Sequence, residues 1–401
     1  MIGSGSGRPP FPVTLDNWQS AGQLNWTFQH MAEIFPTTPI SRGTSPAPSL
    51  PRIGYEPDGL PVRTHDGETS SVHTVMASSD TDGWLVLHDH PSWGAQVLVE
   101  RYPGGMDPST LHLLMSVTKS VVGITVGALV GRGVIDTEAL ITHYVPTLYE
   151  SGYAGATVRH LLDMRSGIRF SEDYLDPMAE VRVLEQAFGW APKLLPDVPG
   201  TLRDFLLSLS QDGPHGGPFD YRSCETDVLG WVIEAATGRR FADVAAELVW
   251  SRIGAEFDAN IGVDAEGSGM FDGGMSAALG DLARLGLMIL RNGTSLTGDQ
   301  VVPAWWVEDS FAGGPDSMRA FADSPGDNRM PGGFYRNQFW IPDAQRPVLL
   351  CLGIHGQMIY VNRAAGVVAA KLSSWPTPQN AWKLFSTVAA FDAISADLAG
   401  A

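Results

Sequence analysis

The sharpest chemical signature in this chain is Ser116-Val117-Thr118-Lys119. On a helix, residues three apart share a face, so a Ser116 hydroxyl and a Lys119 amine can meet. A serine at a helix start also has unpaired backbone N–H groups beside it, at the positive end of the helix dipole. A buried lysine can lose its proton, because desolvation disfavours the ammonium. Hydroxyl, neighbouring base and backbone dipole are the parts of an activated nucleophile. The S-x-x-K spacing recurs by chance in many proteins, so its weight depends on what surrounds it.

Competing signals are weaker. His88-Asp89-His90 puts two imidazoles on one strand face, but without a third ligand this reads as an exposed strand end, and no metal site is expected. Neither a Walker loop nor a dinucleotide fingerprint follows a strand, so no cofactor is expected. Asn25-Trp26-Thr27 and Asn292-Gly293-Thr294 are glycosylation sequons by pattern only. Two isolated cysteines, Cys224 and Cys351, exclude a disulfide scaffold and read as buried structural thiols.

The elements that must position Ser116 and Lys119 are legible in outline. Ser116–Gly131 is apolar on most faces and free of proline, which predicts a buried helix ended by Gly131 and Gly133. Ahead of it, Gly83–His88 and Ala95–Tyr102 read as an antiparallel strand pair. Helical patterning marks Val158–Met164, Leu202–Ser208, Cys224–Thr237, Phe241–Ile253 and Asp281–Arg291. Phe170–Gly200 is too long for a plain connection and reads as a lid or binding loop. Strands follow at Gly333–Ile341, Val348–Ile354, Gln357–Asn362 and Gly366–Leu372, then a helix over Asn380–Leu398. Residues 1–70 are rich in Pro, Gly, Ser and Thr and read as an extended arm, docked by Trp18, Trp26, Phe28 and Phe35.

This order predicts an α/β protein whose antiparallel sheet is assembled from both chain ends, flanked by helices, with a mostly helical domain inserted. The expected division is an arm over 1–75, a discontinuous sheet domain over 76–110 and 277–401, and a helical domain over 111–276 carrying the active-site loop 170–200.

The chain has 401 residues, 26 Lys plus Arg against 44 Asp plus Glu, and a net charge of −18. That balance repels phosphate backbones and anionic lipid, so neither nucleic acid nor membrane is an expected partner. No apolar run approaches the roughly 20 residues needed to span a bilayer. Met1–Gly7 is not followed by a charged and then apolar leader, which makes the cytoplasm the expected location. A homodimer is compatible with the sequence.

The surroundings of Ser116 add weight. L-H-L-L-M-S-V-T-K-S at 111–120 resembles the opening of the serine β-lactamase and penicillin-binding-protein superfamily, in its class C-like branch. His160–Ile168, Phe219-Asp220-Tyr221-Arg222-Ser223, Gly273-Gly274-Met275-Ser276 and Gly353-Ile354-His355-Gly356-Gln357 resemble further motifs of that superfamily, in its order. With S-E-D-Y-L-D-P at 171–177 and K-L-S-S-W-P at 371–376, the likeness narrows to the 6-aminohexanoate-dimer (nylon-oligomer) hydrolases and related carboxylesterases.

The resemblance implies that Ser116 is the nucleophile and that Lys119 and Tyr221 together form the general base, with Ser223 in the same network. It implies an oxyanion hole from the Ser116 N–H and a second N–H of the edge strand within Ile354–Gln357, the resemblance favouring Ile354. It places Tyr174 on a flap over the substrate, Trp190 and Trp340 along the acyl path, and His355 in the edge-strand motif beside the substrate. Glu185 and Asp272 fall where acids influence binding; each could pair with a substrate ammonium or be a solvated loop acid. The chain lacks the K-T-G of β-lactamases, and with it the lysine that would hold a β-lactam carboxylate. The expected function is a serine hydrolase acting through an acyl-enzyme on small linear amides of the 6-aminohexanoate-dimer type, on short-chain esters, or on both. The alternatives are a carboxylesterase with little amidase activity and a catalytically silent binding protein of the same fold.

Overall fold

In the computed structural model, residues 9–326 and 329–400 are described, and the Met1–Gly7 stretch lies outside them. The larger sheet draws its strands from two distant parts of the chain: Thr81–His90 (β1), Gly94–Arg101 (β2), Phe334–Arg336 (β3), Phe339–Ile341 (β4), Val348–Gly353 (β5), Gln357–Asn362 (β6) and Val367–Ser373 (β7). They lie in the order β2-β1-β7-β6-β5-β4-β3, every neighbour antiparallel. The run expected as one strand over 333–341 is instead the β3–β4 hairpin, turned by Asn337 and Gln338, both at positive φ.

The helices that matter to the site are Val117–Val130 (α1), Glu180–Phe188 (α2), Ser223–Thr237 (α3), Leu279–Leu290 (α4) and Ala381–Ala399 (α5). Ile359 of β6 approaches Gly286 of α4, while its neighbour Tyr360 donates from its hydroxyl to Asp392 of α5 at 2.7 Å. Successive strand residues point to opposite faces, so helices cover this sheet on both sides. That explains why β7 is buried along its whole length.

A second sheet leads into α1. Its strands, in spatial order, are Thr37–Ile40, Ala259–Gly262, Met275–Ala277 and His112–Leu113. The Leu114 N–H donates to the Met275 carbonyl at 2.8 Å, and the Met275 N–H donates to the Thr118 hydroxyl at 3.2 Å. These bonds fix the start of α1 against the 270s turn. All of α1 from Val117 to Leu129 is buried, as expected of a helix apolar on most faces. Gly123 is needed there, because a Cβ would sit 2.4 Å from the Asn337 carbonyl oxygen.

The N-terminal segment is less extended than its composition suggests. Leu24–Gln29 and Met31–Ile34 are helical turns, and Thr37–Ile40 is a strand. Tertiary burial overrides the Pro-, Gly- and Ser-rich composition. Trp18, Leu24, Phe28 and Phe35 are buried, and the Trp18 indole N–H donates to the Trp190 carbonyl at 2.7 Å. Trp18 meets Trp190 edge to face at 5.3 Å and Phe35 at 5.2 Å.

The segment ahead of α3, which carries Tyr221 and Ser223, is held by a buried acid. Glu225 accepts from the Ser166 hydroxyl at 2.6 Å and from Arg222 at 3.2 Å. Burial raises its carboxyl to about 7, against the lowering effects of Arg222 and Ser166.

Two outcomes follow from these contacts. Trp18→Ala removes a fully buried indole and is expected to destabilise the fold by about 3–5 kcal/mol, read as a lower urea midpoint at unchanged m-value. Glu225 binds its proton more tightly folded than unfolded. Its contribution is therefore fully present below the unfolded value of 4.5 and is lost as pH rises through about 7. The stability of wild type relative to Glu225→Gln should fall over that window by up to about 3 kcal/mol, measured by denaturation at each pH.

Candidate active site

Met115 has a left-handed backbone, φ 47°, immediately before Ser116 opens α1. Such a conformation costs energy in a residue with a side chain and persists only where packing enforces it. One turn into the helix, Lys119 is fully buried and its ammonium meets three acceptors. These are Ser116 Oγ at 3.0 Å, Ser223 Oγ at 3.0 Å and the Asp272 carbonyl at 2.7 Å. Asp272 Oδ2 lies 3.7 Å away. Burial alone would release the proton. Tyr221 and the carboxylates of Asp272, Glu172 and Asp227 outweigh it and hold the ammonium above the ordinary lysine range. The desolvation argument made from sequence is thereby reversed.

Tyr221 lies over this cluster, with Lys119 Nζ 5.2 Å from its ring centroid. Burial raises the phenol; Lys119 and hydrogen bonding to Ser116 and Lys119 act the other way, and Glu172 adds to the rise. The ring is stacked on Trp340 at 5.2 Å and 30° and meets Tyr335 edge to face. Trp340 is thus brought to Tyr221, but it is not among the residues lining the cavity.

A cavity opens on Ser116. Trp18, Val181, Leu184, Trp190 and Met270 give it apolar walls, and Gln19, Tyr174, Glu185, Ser223, Asp272 and Ile354 also face it. Ser116 and Ile354 are close because Gly353 ends β5 against the helix start. A Cβ on Gly353 would lie 3.1 Å from the Ser116 nitrogen.

His355 is placed differently from the sequence expectation. His355 and Gly356, at φ 60° and 95°, turn the chain from β5 into β6. The His355 N–H donates to the Pro378 carbonyl, and Nδ1 lies 2.6 Å from the Trp375 carbonyl oxygen. The ring is buried edge to face with Phe28 and does not line the cavity. Burial lowers its pKa to about 4, which keeps it neutral. The left-handed turn and the tie to 375–378 are the physical reason.

The long loop is not unstructured. It contains α2, whose Val181, Leu184 and Phe188 recur on one face and are buried. Glu185 projects from α2 into the cavity, already bound on both oxygens by Arg182 Nη1 at 2.9 and 2.8 Å. Arg182 also donates to the Tyr174 carbonyl from Nε at 2.9 Å and from Nη2 at 2.7 Å.

Glu172 is a site residue that sequence reasoning missed. Its Oε1 accepts from the Ser223 hydroxyl at 2.5 Å and from the Tyr174 hydroxyl at 2.8 Å, and its Oε2 from the Ser223 N–H at 3.1 Å. Burial raises its pKa, with Lys119 and these hydrogen bonds opposing. The available signal was an acid two residues before the flap tyrosine. Asp227 was missed too. It accepts the Asp272 N–H at 3.0 Å, and burial beside Asp272 pushes its carboxyl well above the usual range. No group of three or more His, Cys, Asp or Glu among the described residues could hold a metal ion. No helix among them is long and apolar enough to cross a membrane.

Residues 93–385 match the Beta-lactamase family. The 6-aminohexanoate-dimer hydrolase of Paenarthrobacter ureafaciens is 39% identical over 376 residues, covering 94% of this chain and 91% of that protein. Esterase EstB of Burkholderia gladioli is 32% identical over 173 residues, 40% of this chain and 41% of that one. Among solved structures, a provisionally assigned 6-aminohexanoate-dimer hydrolase from Bacillus anthracis superposes with a TM-score of 0.85 at 26% identity, over 96% of each chain. A family match across most of the sequence, a near end-to-end relative at that identity and a shared architecture have one reading: the chain belongs to the Beta-lactamase family.

Proposed function

We propose that this protein is a serine hydrolase that opens linear amides of the 6-aminohexanoate-dimer type, and short-chain carboxylic esters, through an acyl-enzyme on Ser116. The observation that carries this reading is the Lys119 ammonium bonded at once to Ser116 and Ser223, both of which line the cavity, with Tyr221 against it. The Paenarthrobacter relative supplies the amide substrate class by its name, and the Burkholderia relative the ester.

Ser116 Oγ accepts from Lys119, so its own proton is free to leave toward Tyr221. The base is the Lys119–Tyr221 pair less one proton. Because the carboxylates favour the ammonium, the phenol is the group that yields it. Ser116 Oγ then bonds the substrate carbonyl carbon as its proton passes to the Tyr221 oxygen. The resulting oxyanion faces the N–H groups of Ser116 and Ile354. Collapse breaks the C–N or C–O bond, with Tyr221 returning the proton to the leaving amine or alcohol. Water repeats the sequence on the acyl-enzyme, releasing the acid and restoring Ser116. Tyr174, held by Glu172, roofs this chemistry from the flap. Two free, buried cysteines accord with the cytoplasmic location expected from the sequence, and a homodimer stays compatible with it.

Wild type is expected to hydrolyse both the linear 6-aminohexanoate dimer and a short-chain p-nitrophenyl ester, with Ser116→Ala losing at least about 10³-fold in kcat for each. Ester cleavage without amide cleavage would leave the carboxylesterase reading, and no Ser116-dependent turnover of either would leave a silent binding protein. Burial raises the Tyr221 phenol and the active base lacks one proton. The kcat/KM for the ester, whose own charge is constant, should therefore climb with pH on the alkaline side. Tyr221→Phe should flatten that climb and lower kcat by about 10²–10⁴-fold.

A further inference from the structure

The turn that carries Ile354 is closed by a side chain that does not line the cavity. Gln357 is 1% exposed, and both ends of its amide are bonded. Nε2 donates to the Ser373 carbonyl at 2.8 Å and to the Ile354 carbonyl at 3.3 Å, while Oε1 accepts the Ser373 N–H at 3.1 Å. The flipped amide would set its oxygen against two carbonyls, so the network itself assigns the orientation.

Ser373 is a firm anchor for this clamp. The β6–β7 ladder ends with Met358 opposite Lys371, and past that point the Gln357 side chain meets the Ser373 backbone. Ser373 is fully buried, pairs with Thr81 of β1 and accepts from Lys371 on its hydroxyl. Lys371 in turn donates to the Ser79 carbonyl at 3.3 Å, an acceptor it shares with the Trp375 indole at 2.7 Å.

The direction of the Ile354 N–H is set by the backbone on either side of it. Upstream, Gly353 pairs with Gln357 and packs so closely that a Cβ there would lie 2.6 Å from the Leu114 carbonyl oxygen. Downstream, Gln357 holds the Ile354 carbonyl, just before the left-handed His355. A conformation of that kind persists only where its surroundings enforce it.

We propose that Gln357 is the positioning residue of the oxyanion hole: by tying Ile354 to Ser373, it aims the Ile354 N–H at the oxygen that becomes charged when Ser116 attacks. This deepens the hydrolase reading and rests on it. The charge exists only after attack, so a misaimed donor lowers kcat and leaves KM in place.

The test pairs p-nitrophenyl hexanoate, for turnover, with trifluoromethyl pentyl ketone, which carries the same acyl chain. Ser116 Oγ adds to the ketone carbon and its proton passes to Tyr221, leaving a charged oxygen where the tetrahedral intermediate has one. Fluorine NMR reads this adduct. Gln357→Met, similar in length but without an N–H for either carbonyl, should lower kcat at least about tenfold with KM within about twofold, and weaken the ketone by a similar factor. If that variant does not fold, Gln357→Asn, one methylene too short to span Ile354 and Ser373, should show the same split. Tyr360→Phe, which removes the bond to Asp392 elsewhere on β6, controls for lost stability and should change neither quantity. A raised KM at unchanged kcat, or a Ser116-dependent adduct as tight in the Gln357 variants as in wild type, would overturn the inference alone. No Ser116-dependent adduct or turnover would overturn the hydrolase reading, and the inference with it.

Discussion

A buried ammonium has three protons to place, and Lys119 places each on an oxygen from a different part of the chain. Removing such a charge from water costs several kcal/mol unless its hydrogen bonds are all made. That requirement disciplines the architecture around it. Helix α1 must begin one turn ahead of Lys119 so that Ser116 is in reach. Helix α3 must begin at Ser223, and the turn before Met275 must aim the Asp272 carbonyl inward. The small sheet meets the last condition by clamping Leu114 and Thr118 to Met275. Satisfying the lysine is the same act as orienting the serine, because a hydroxyl that accepts from the ammonium must point its own hydrogen elsewhere.

The acidic surplus of the sequence has an interior counterpart. Glu172 binds Ser223 through both its N–H and its hydroxyl and reaches Tyr174 with the same carboxylate. The Tyr174 segment and the Lys119 cluster therefore share one anchor, and displacement of either is felt by the other. Arg182 makes a second tie between the flap and the cavity wall. Two charged side chains thus add to the buried apolar face of α2 in holding this segment in register with the helices.

What was legible in the sequence was local or strongly patterned. The spacing of Ser116 and Lys119 is a property of any helix, and the largely apolar course of α1 announces its burial. Tyr221 and Ser223 were reachable through motif order. Glu172 was not, because its partners are Ser223, 51 positions away, and a tyrosine whose direction is set by an irregular loop. Arg182 and Glu185 stand three apart, a pairing that reads easily on a helix. It cannot be read where the 170–200 stretch is expected as one long loop. His355 shows the reverse error. Its place in a motif suggested contact with substrate, but two consecutive left-handed residues and a carbonyl at Trp375 turn it under the sheet edge. Backbone handedness at a non-glycine residue has no sequence signature of its own.

These placements bear on what the site rejects. The residues lining the cavity include no lysine, arginine or histidine. Two cations bonded to lining residues, Lys119 and Arg182, are spent on Ser116, Ser223 and Asp272 in one instance and on Glu185 and Tyr174 in the other. His355, which stands where β-lactamases keep a cationic edge strand, is buried and neutral. A substrate carboxylate placed beside Ser116 would therefore lose its hydration without gaining a charged partner, a cost of several kcal/mol. The absence of K-T-G is thus not offset elsewhere in the cavity wall. On the proposed function, the substrates that fit are those whose charged ends stand away from the scissile bond, as both ends of the linear 6-aminohexanoate dimer do.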